Sequence, residues 1–467
     1  MKIQNPYIYI VLGALSLLLF VVSINQGMFW DNVLFASKMG NHLFENGFLA
    51  LSMPDTFDPG HPPFLAFMLA AIWKILGHKL WVSHLLMLPF VLGLLVQLYK
   101  FISHYVKDFK YQIAALALII ADPTLVAQLV LVNPEVIQLF FFFMAINALL
   151  NKQRILQTIS LALLGIVTFR GMMLCAGIFL FELFNHLLIN RLKLKAFFTR
   201  DVILTYLIGS IPALVYVIWR LSTKGWLQTH PGSPWESLWH FASVKIFAFN
   251  IFTLARWYAD FGRVFVLGFI FLIILKKTAL LNDLKIKQLL LLTVSSVIII
   301  ALVSLLSTNS FAHRYFIASF LTLILIAFKF LENIKKYQKL IYFMLLIGLI
   351  TGNFWIYPQK VAQGWDASLA HIPYFNLRNE AIQYMNKQGV AVEKTASFFP
   401  NECSIDDVDL SGDKRSFSSF DGFNKYVFYS NVYNLTDQEF ELIEKNYTAI
   451  KTFSSSRIYI TLYQIKQ

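Results

Sequence analysis

Charge is scarce in this sequence. Only 14% of its 467 residues are Asp, Glu, Lys or Arg, against roughly 25% in soluble domains, and that excludes an ordinary soluble enzyme. Cysteine is scarcer still. Cys175 and Cys403 are the only two, too few for a disulfide scaffold, a zinc ribbon or an iron–sulfur site. No short period recurs, and apolar content is high throughout, so fibrous repeats and disorder are excluded as well. What is abundant is apolar and aromatic: 57% hydrophobic, with 45 Phe and 10 Trp. That mix suits bilayer-facing and interfacial positions. The composition predicts a polytopic α-helical membrane protein.

The net charge of +13 resembles a nucleic-acid binder only until it is divided by region. Residues 1–357 carry 28 Lys/Arg and 13 Asp/Glu, whereas residues 358–467 carry 11 and 13. The basic excess belongs to the apolar part, where the positive-inside bias explains it. No basic block is interleaved with exposed aromatics, so no nucleic-acid partner is expected.

A spanning helix needs about 17 to 25 apolar residues. Tyr7–Ile24 is the first such run, and the absence of a small-x-small cleavage site after it reads as a retained span. Further runs lie near 82–103, 111–121, 135–150, 155–169, 171–190, 202–219, 264–275, 288–306, 315–331 and 340–357. Basic clusters at Lys100/Lys107/Lys110, Lys152/Arg154, Arg191–Arg200, Lys276–Lys287 and Lys335–Lys339, together with Lys2, hold 17 of the 28 cations in a few short loops. Placing them all in the cytoplasm gives about eleven spans, a cytoplasmic N-terminus and an extracytoplasmic C-terminal domain. It also makes residues 155–190 cross twice, turning at Arg170. Segment 62–80 begins Pro-Pro and contains Lys74, His78 and Lys79, so it reads as a helix lying in the outer interface.

This topology divides the chain into a membrane domain, 1–357, and an extracytoplasmic α/β domain, 358–467. The external face then collects the unusual residues: Asp31, Asp55, Asp58 and His61 in a first loop, 25–80; Asp122 and Glu135 beside prolines; Arg170; a Trp- and Pro-rich loop near 220–263; and Arg314-Tyr315. Acids and arginines this close to hydrocarbon are expensive and imply function. Plainer roles stand beside that reading. Asp122 before Pro123 suits a helix cap, Glu135 complements a helix dipole, Asp31 beside Trp30 suits an interfacial anchor, and Arg170 could snorkel. Asp55 and Asp58 lie in a turn-forming stretch, MPDTFDPGHPP.

The order of these pieces resembles the GT-C superfamily of membrane glycosyltransferases, in the branch containing protein O-mannosyltransferases and lipid A aminoarabinose transferases. An acid follows the first span (FWDN), and a helix of small and aromatic residues comes next (LFASKMGNHLFENGF). DPGHPPF then resembles the His-Pro-Pro-Leu signature, ADPTLVAQLVLVNPE follows a further span, and HRYFIASF opens a late one. The likeness covers roughly residues 1–330. Asn32 stands where members often carry a second acid, and His61 stands where aminoarabinose transferases carry a Lys.

The resemblance implies transfer of a sugar, with inversion, from a polyprenyl-phosphate donor to a protein, lipid or glycan acceptor at the outer face, in a bacterial inner membrane. The chemistry needs a carboxylate to take the acceptor proton, for which Asp31 is the candidate, while Glu135, the second catalytic candidate, could orient the acceptor. It also needs fixed cations on the departing phosphate, for which Arg314, Arg170 and His61 are candidates, Arg offering the bidentate fork. Asp58, Asp122 and Tyr315 are further acceptor or loop candidates. No cofactor is required, and no metal is predicted; a divalent cation shared by Asp31 and Glu135 is the open alternative. Membrane lipids flank the site. A transporter or flippase is the competing reading, without paired inverted repeats to support it, and a non-catalytic assembly protein is another.

In the tail, Thr436-Asp437-Gln438-Glu439 is a capping box. A β-rich run, 425–429, precedes it, and alternating strands, 448–453 and 457–465, end the chain. A helix is expected around 376–387. The domain shows no G-x-G-x-x-G, P-loop or Ser/His/Asp elbow motif, and acceptor recognition or lidding of the site is the role it suits.

Overall fold

In a bilayer a backbone amide finds no water, so a long apolar run folds into the structure that satisfies its own donors. All eleven expected runs fall on helices in the computed structural model, which describes residues 6–230, 240–358 and 361–466. Lys2 and the centre of the Trp- and Pro-rich loop, 231–239, lie outside the described residues.

Helix α1 (Tyr7–Ser23) leads through a π-helical turn, Val33–Lys38, into α2 (Met39–Asn46) and then α3 (Phe64–Leu76). The membrane domain continues with α4 (Leu80–Tyr105), α5 (Phe109–Ile120), α6 (Pro123–Leu129), α7 (Pro134–Leu150), α8 (Arg154–Gly165) and α9 (Phe169–Phe184). It closes with α10 (Arg200–Lys224), α11 (Val244–Ala259), α12 (Arg263–Lys276), α13 (Leu284–Leu306), α14 (Ile317–Glu332) and α15 (Gln338–Thr351). Among the described residues, five stretches are long and apolar enough to cross a membrane: Leu80–Tyr105, Phe169–Ile189, Arg200–Lys224, Leu284–Leu306 and His313–Glu332. The pairs α5/α6 and α11/α12 each qualify as one broken span, bent by 79° and 92°. Helices α1, α3, α7, α8 and α15 are apolar but shorter. The chain is an integral membrane protein.

Two expectations need correction. The stretch 220–263 is not one long loop, because residues 244–259 form α11. Its polar residues hid it, yet they are satisfied: Asn250 Nδ2 donates to the carbonyls of Ser304 and Ser307 at 3.2 and 3.0 Å, and Ser243 caps the first turn through the Ile246 N–H. Nor does the chain turn at Arg170. Helix α8 ends at Gly165, and Arg170 lies in the first turn of α9, behind the Thr168 cap.

After α15, short 3-10 turns at Trp365–Ala367 and Leu369–His371 lead to α16 (Pro373–Lys387). The remaining order is β1 (Thr395–Ser397), α17 (Ile405–Asp409), β2 (Ser418–Ser419), β3 (Tyr426–Ser430), α18 (Asp437–Asn446), β4 (Tyr447–Ser455) and β5 (Ile458–Ile465). The sheet runs β2-β1-β3-β5-β4. Strand β1 is parallel to both neighbours, β5 is antiparallel to β3 and β4, and Phe428 faces Leu462 across the β3–β5 pair. Ala381 and Met385 of α16 and Ile443 of α18 bury its apolar side chains. The capping box opens α18, with Thr436 and Glu439 each accepting from the other's backbone N–H.

This sheet domain sits on the first loop. The Met28 N–H donates to the Val408 carbonyl at 2.9 Å, and Phe29 stacks on His371 with ring centroids 4.7 Å apart. Asn41 donates to Asp407 at 3.2 Å, and Lys414 reaches Glu45 at the same distance. The junction between the two parts is where the candidate site lies.

Candidate active site at the domain junction

Helix starts set the site. Asn133 caps α7 by accepting the Val136 N–H at 3.0 Å, with Pro134 in the first helical position. Glu135 follows in the first turn, where the helix dipole favours an acid. Thr168 caps α9 by accepting the Gly171 N–H at 3.2 Å, which places Arg170 in that first turn. A cation there opposes the dipole, so a partner must compensate. It does: Arg170 Nη2 donates to Glu135 Oε1 at 2.8 Å, both side chains being nearly enclosed. Gly171 lets the start of α9 pack against the end of α8, since a Cβ at that position would lie 2.1 Å from the Leu164 carbonyl oxygen.

Arg314 is the hub. It lies in the 3-10 turn His313–Phe316 that opens α14 and is buried. Its Nε donates to the same Glu135 Oε1 at 3.1 Å. Its two terminal nitrogens pair with Asp31 and with Asp366. Tyr315 lies against both arginines, its ring centroid 4.1 Å from the Arg170 guanidinium carbon and 5.3 Å from that of Arg314. Glu135, Gln138, Arg170, Arg314 and Tyr315 border a cavity of about 20 Å³, room for roughly one water.

Asp31 follows Trp30, whose backbone is left-handed at φ 51°. Its carbonyl accepts from the Leu34 and Phe35 N–H groups, fixing the turn into the π-helical segment. The side chain is about a third exposed, the most open of the three carboxylates around Arg314. Asp366 is the residue that sequence reasoning missed. It stands in the polar stretch Gly364-Trp365-Asp366-Ala367-Ser368, yet it is buried, and its carbonyl accepts from Gln128 at 2.7 Å. An acid in a polar stretch beyond the last apolar run gives no local signal of a partner in another helix.

His61 lies beside this group. Its Nδ1 accepts the Phe169 N–H at 3.3 Å, so the ring proton belongs on Nε2. Phe35 and Phe169 flank the ring at 5.1 and 5.6 Å. Burial, and then the charges of Arg170, Arg220 and Arg314, hold its pKa well below the ordinary 6.5. This favours the neutral ring, where the sequence reading had a fixed cation.

The other candidates lie elsewhere. Asp58 pairs with Arg220 through two contacts of 3.1 Å and accepts the Gly60 N–H at 2.9 Å, which stabilises the turn before His61. Asp122 caps α6 through the Leu125 N–H and pairs with Arg263 at 3.1 Å, as its plainer reading has it. Among the described residues, no group of three or more His, Cys, Asp or Glu is arranged to hold a metal ion.

No protein-family model matches the sequence, and the curated proteins contain no match either. Solved structures do match. ArnT from Cupriavidus metallidurans bound to undecaprenyl phosphate is 12% identical, with a TM-score of 0.53 over 98% of each chain. The same protein in its apo state is 11% identical, with a TM-score of 0.54 over 97% of each chain. At that identity the likeness is one of fold, and it runs from end to end: the chain has an ArnT-like fold.

Proposed function

We propose that this protein is a membrane glycosyltransferase that moves a sugar, with inversion, from a polyprenyl-phosphate carrier to an acceptor at the outer face of a bacterial inner membrane. The observation that carries this reading is the convergence of Arg170 and Arg314 on Glu135, beside Asp31, in a fold whose solved example holds undecaprenyl phosphate. In this reading the N-terminus is cytoplasmic and the sheet domain extracytoplasmic, which puts the junction at the outer face.

Each residue has a chemical task. Arg314 and Arg170 supply charge-assisted donors to the phosphate as its bond to the sugar C1 breaks and negative charge grows on the leaving oxygen. His61, neutral, adds an N–H without adding charge. Asp31, the most open carboxylate, takes the proton from the acceptor hydroxyl as that oxygen attacks C1 from the opposite side. Glu135 orients both arginines through one oxygen. Apolar helices around the junction receive the prenyl tail. The acceptor is a hydroxyl on a protein, lipid or glycan.

The test is transfer of radiolabelled sugar from a pool of polyprenyl-phosphate sugars by the purified protein. Wild type transfers or hydrolyses a donor, and Asp31→Asn and Arg314→Ala do not. A folded wild-type protein inactive with every donor refutes the reading and favours transport or assembly.

A further inference from the structure

Arg314 has three carboxylates on its guanidinium, but its backbone needs an anchor of its own. The residue before it supplies one. His313 is completely buried, with its ring 3.8 Å from Trp257 and 4.9 Å from Phe261 between centroids. Its Nε2 donates to Asp260 Oδ2 at 2.9 Å, which leaves the lone pair on Nδ1. Nδ1 has no hydrogen-bond partner among the described residues. It faces Gly364, where φ is +62° and a Cβ would lie 2.7 Å away.

Asp260 occupies the 92° corner between α11 and α12. It also accepts the Tyr357 hydroxyl at 2.7 Å and pairs with Arg256 at 3.3 Å. Arg256 in turn donates to the Ala362 carbonyl at 2.8 Å and lies over the Tyr357 ring. The Trp257 indole donates to the Phe311 carbonyl at 3.1 Å, steadying the chain just before the turn. The corner, the 3-10 turn and the linker therefore meet at one imidazole. Two residues after Gly364, that linker places Asp366 on Arg314.

We propose that Asp260 and His313 are positioning residues for Arg314: their hydrogen bond locks the turn so that the guanidinium meets Glu135 on one side and the lipid phosphate on the other. Neither touches the phosphate, and both act through Arg314. The proposal rests on the donor reading given above. It differs from plain structural support, because a pair that only stabilises the fold would leave phosphate affinity unchanged once the protein is folded.

Binding of undecaprenyl phosphate to the purified full chain in nanodiscs tests it by a double-mutant cycle. Asp260→Asn keeps the shape and removes the charge that fixes the imidazole; it is expected to weaken binding about tenfold, the scale of one charge-assisted hydrogen bond. Arg314→Ala weakens it further. In the double variant the loss is no larger than in Arg314→Ala alone, because a positioning residue has nothing left to position. Additive losses, or an unchanged affinity in Asp260→Asn, overturn the role. If Asp260→Asn does not fold, Tyr357→Phe removes one bond to the same carboxylate, and the same non-additivity with Arg314→Ala is required of it. A wild type that binds no polyprenyl phosphate overturns the donor reading and this role together, whereas wild-type binding with additive losses overturns this role alone.

Discussion

Replacing Asp366 by Asn should tighten the binding of a polyprenyl phosphate. Around the hub, two arginines face three carboxylates, Asp31, Glu135 and Asp366, so the cluster carries one net negative charge. Each nitrogen of the Arg314 guanidinium already meets a carboxylate, so a phosphate that binds it must displace one. Asp366 is the natural one, since Asp31 and Glu135 come from the membrane domain and Asp366 from the linker. A phosphate taking its place on Arg314 gives up one charge-assisted contact between enclosed groups. Such a contact contributes roughly 1.5–3 kcal/mol, against about 0.5–1.5 for a neutral one. Asn keeps the shape and lowers the cost of displacement by about 1–2 kcal/mol, equivalent to a roughly 5- to 30-fold lower Kd. Titration of undecaprenyl phosphate against wild type and Asp366→Asn at one ionic strength measures this. Unchanged or weaker binding in a variant that unfolds at the wild-type temperature refutes the competition.

Other consequences separate scaffold from chemistry. Arg220→Ala leaves the fully buried Asp58 without its main partner and should cost about 3–5 kcal/mol, with Lys224 at 3.9 Å favouring the lower end; a thermal midpoint in detergent equal to wild type contradicts this. Gly171→Ala should disrupt the α8–α9 hairpin, because the added Cβ meets the Leu164 carbonyl, and both stability and transfer should fall; an active, stable variant contradicts the packing. Burial drives the His371 pKa down from 6.5 to about 4, so the unfolded chain binds more protons between those values and stability falls as pH drops below 6.5. The share from His371 approaches about 1.4 kcal/mol per pH unit and comes to about 1.6 kcal/mol between pH 6.5 and 5, and His371→Gln should flatten that part of the unfolding profile.

The candidate site residues were legible in the sequence where a charge stood beside an apolar run. Asp31 after the first run, Glu135 after Pro134, Arg170 between two runs and Arg314 ahead of the run 315–331 all stood out because hydrocarbon makes an uncompensated charge costly. The fold brings all four together, with Asp31 and Arg314 meeting across 283 positions of chain. The same argument fails for Asp366, which lies in a stretch where acids are ordinary and whose importance comes from the linker folding back onto α6. It fails for Asp260 too, since that acid marks a helix corner within what looked like a loop. Arg220 illustrates a third limit. A cation near the end of a helix reads as an interfacial residue, and only the fold reveals that Asp58, 162 positions away, is its partner.

The electrostatics of the junction also explain why so many carboxylates surround a site proposed to hold an anion. Helices α7, α9 and α14 all begin there, and each start carries a partial positive charge. Two arginines added to three such starts, next to hydrocarbon, would leave an uncompensated positive cluster of high energy. Glu135 answers this permanently, held by both arginines through one oxygen. Asp366 answers it from an element that is not part of the helical bundle, so its contact can be exchanged while the bundle stays fixed. A phosphate that replaced it would keep a negative group against Arg314 and the same helix starts. On this account the carboxylate on the linker stabilises the resting protein and sets the threshold that the lipid phosphate must exceed, which is why a neutral isostere at this one position should strengthen binding when the loss of Asp31 or Glu135 should not.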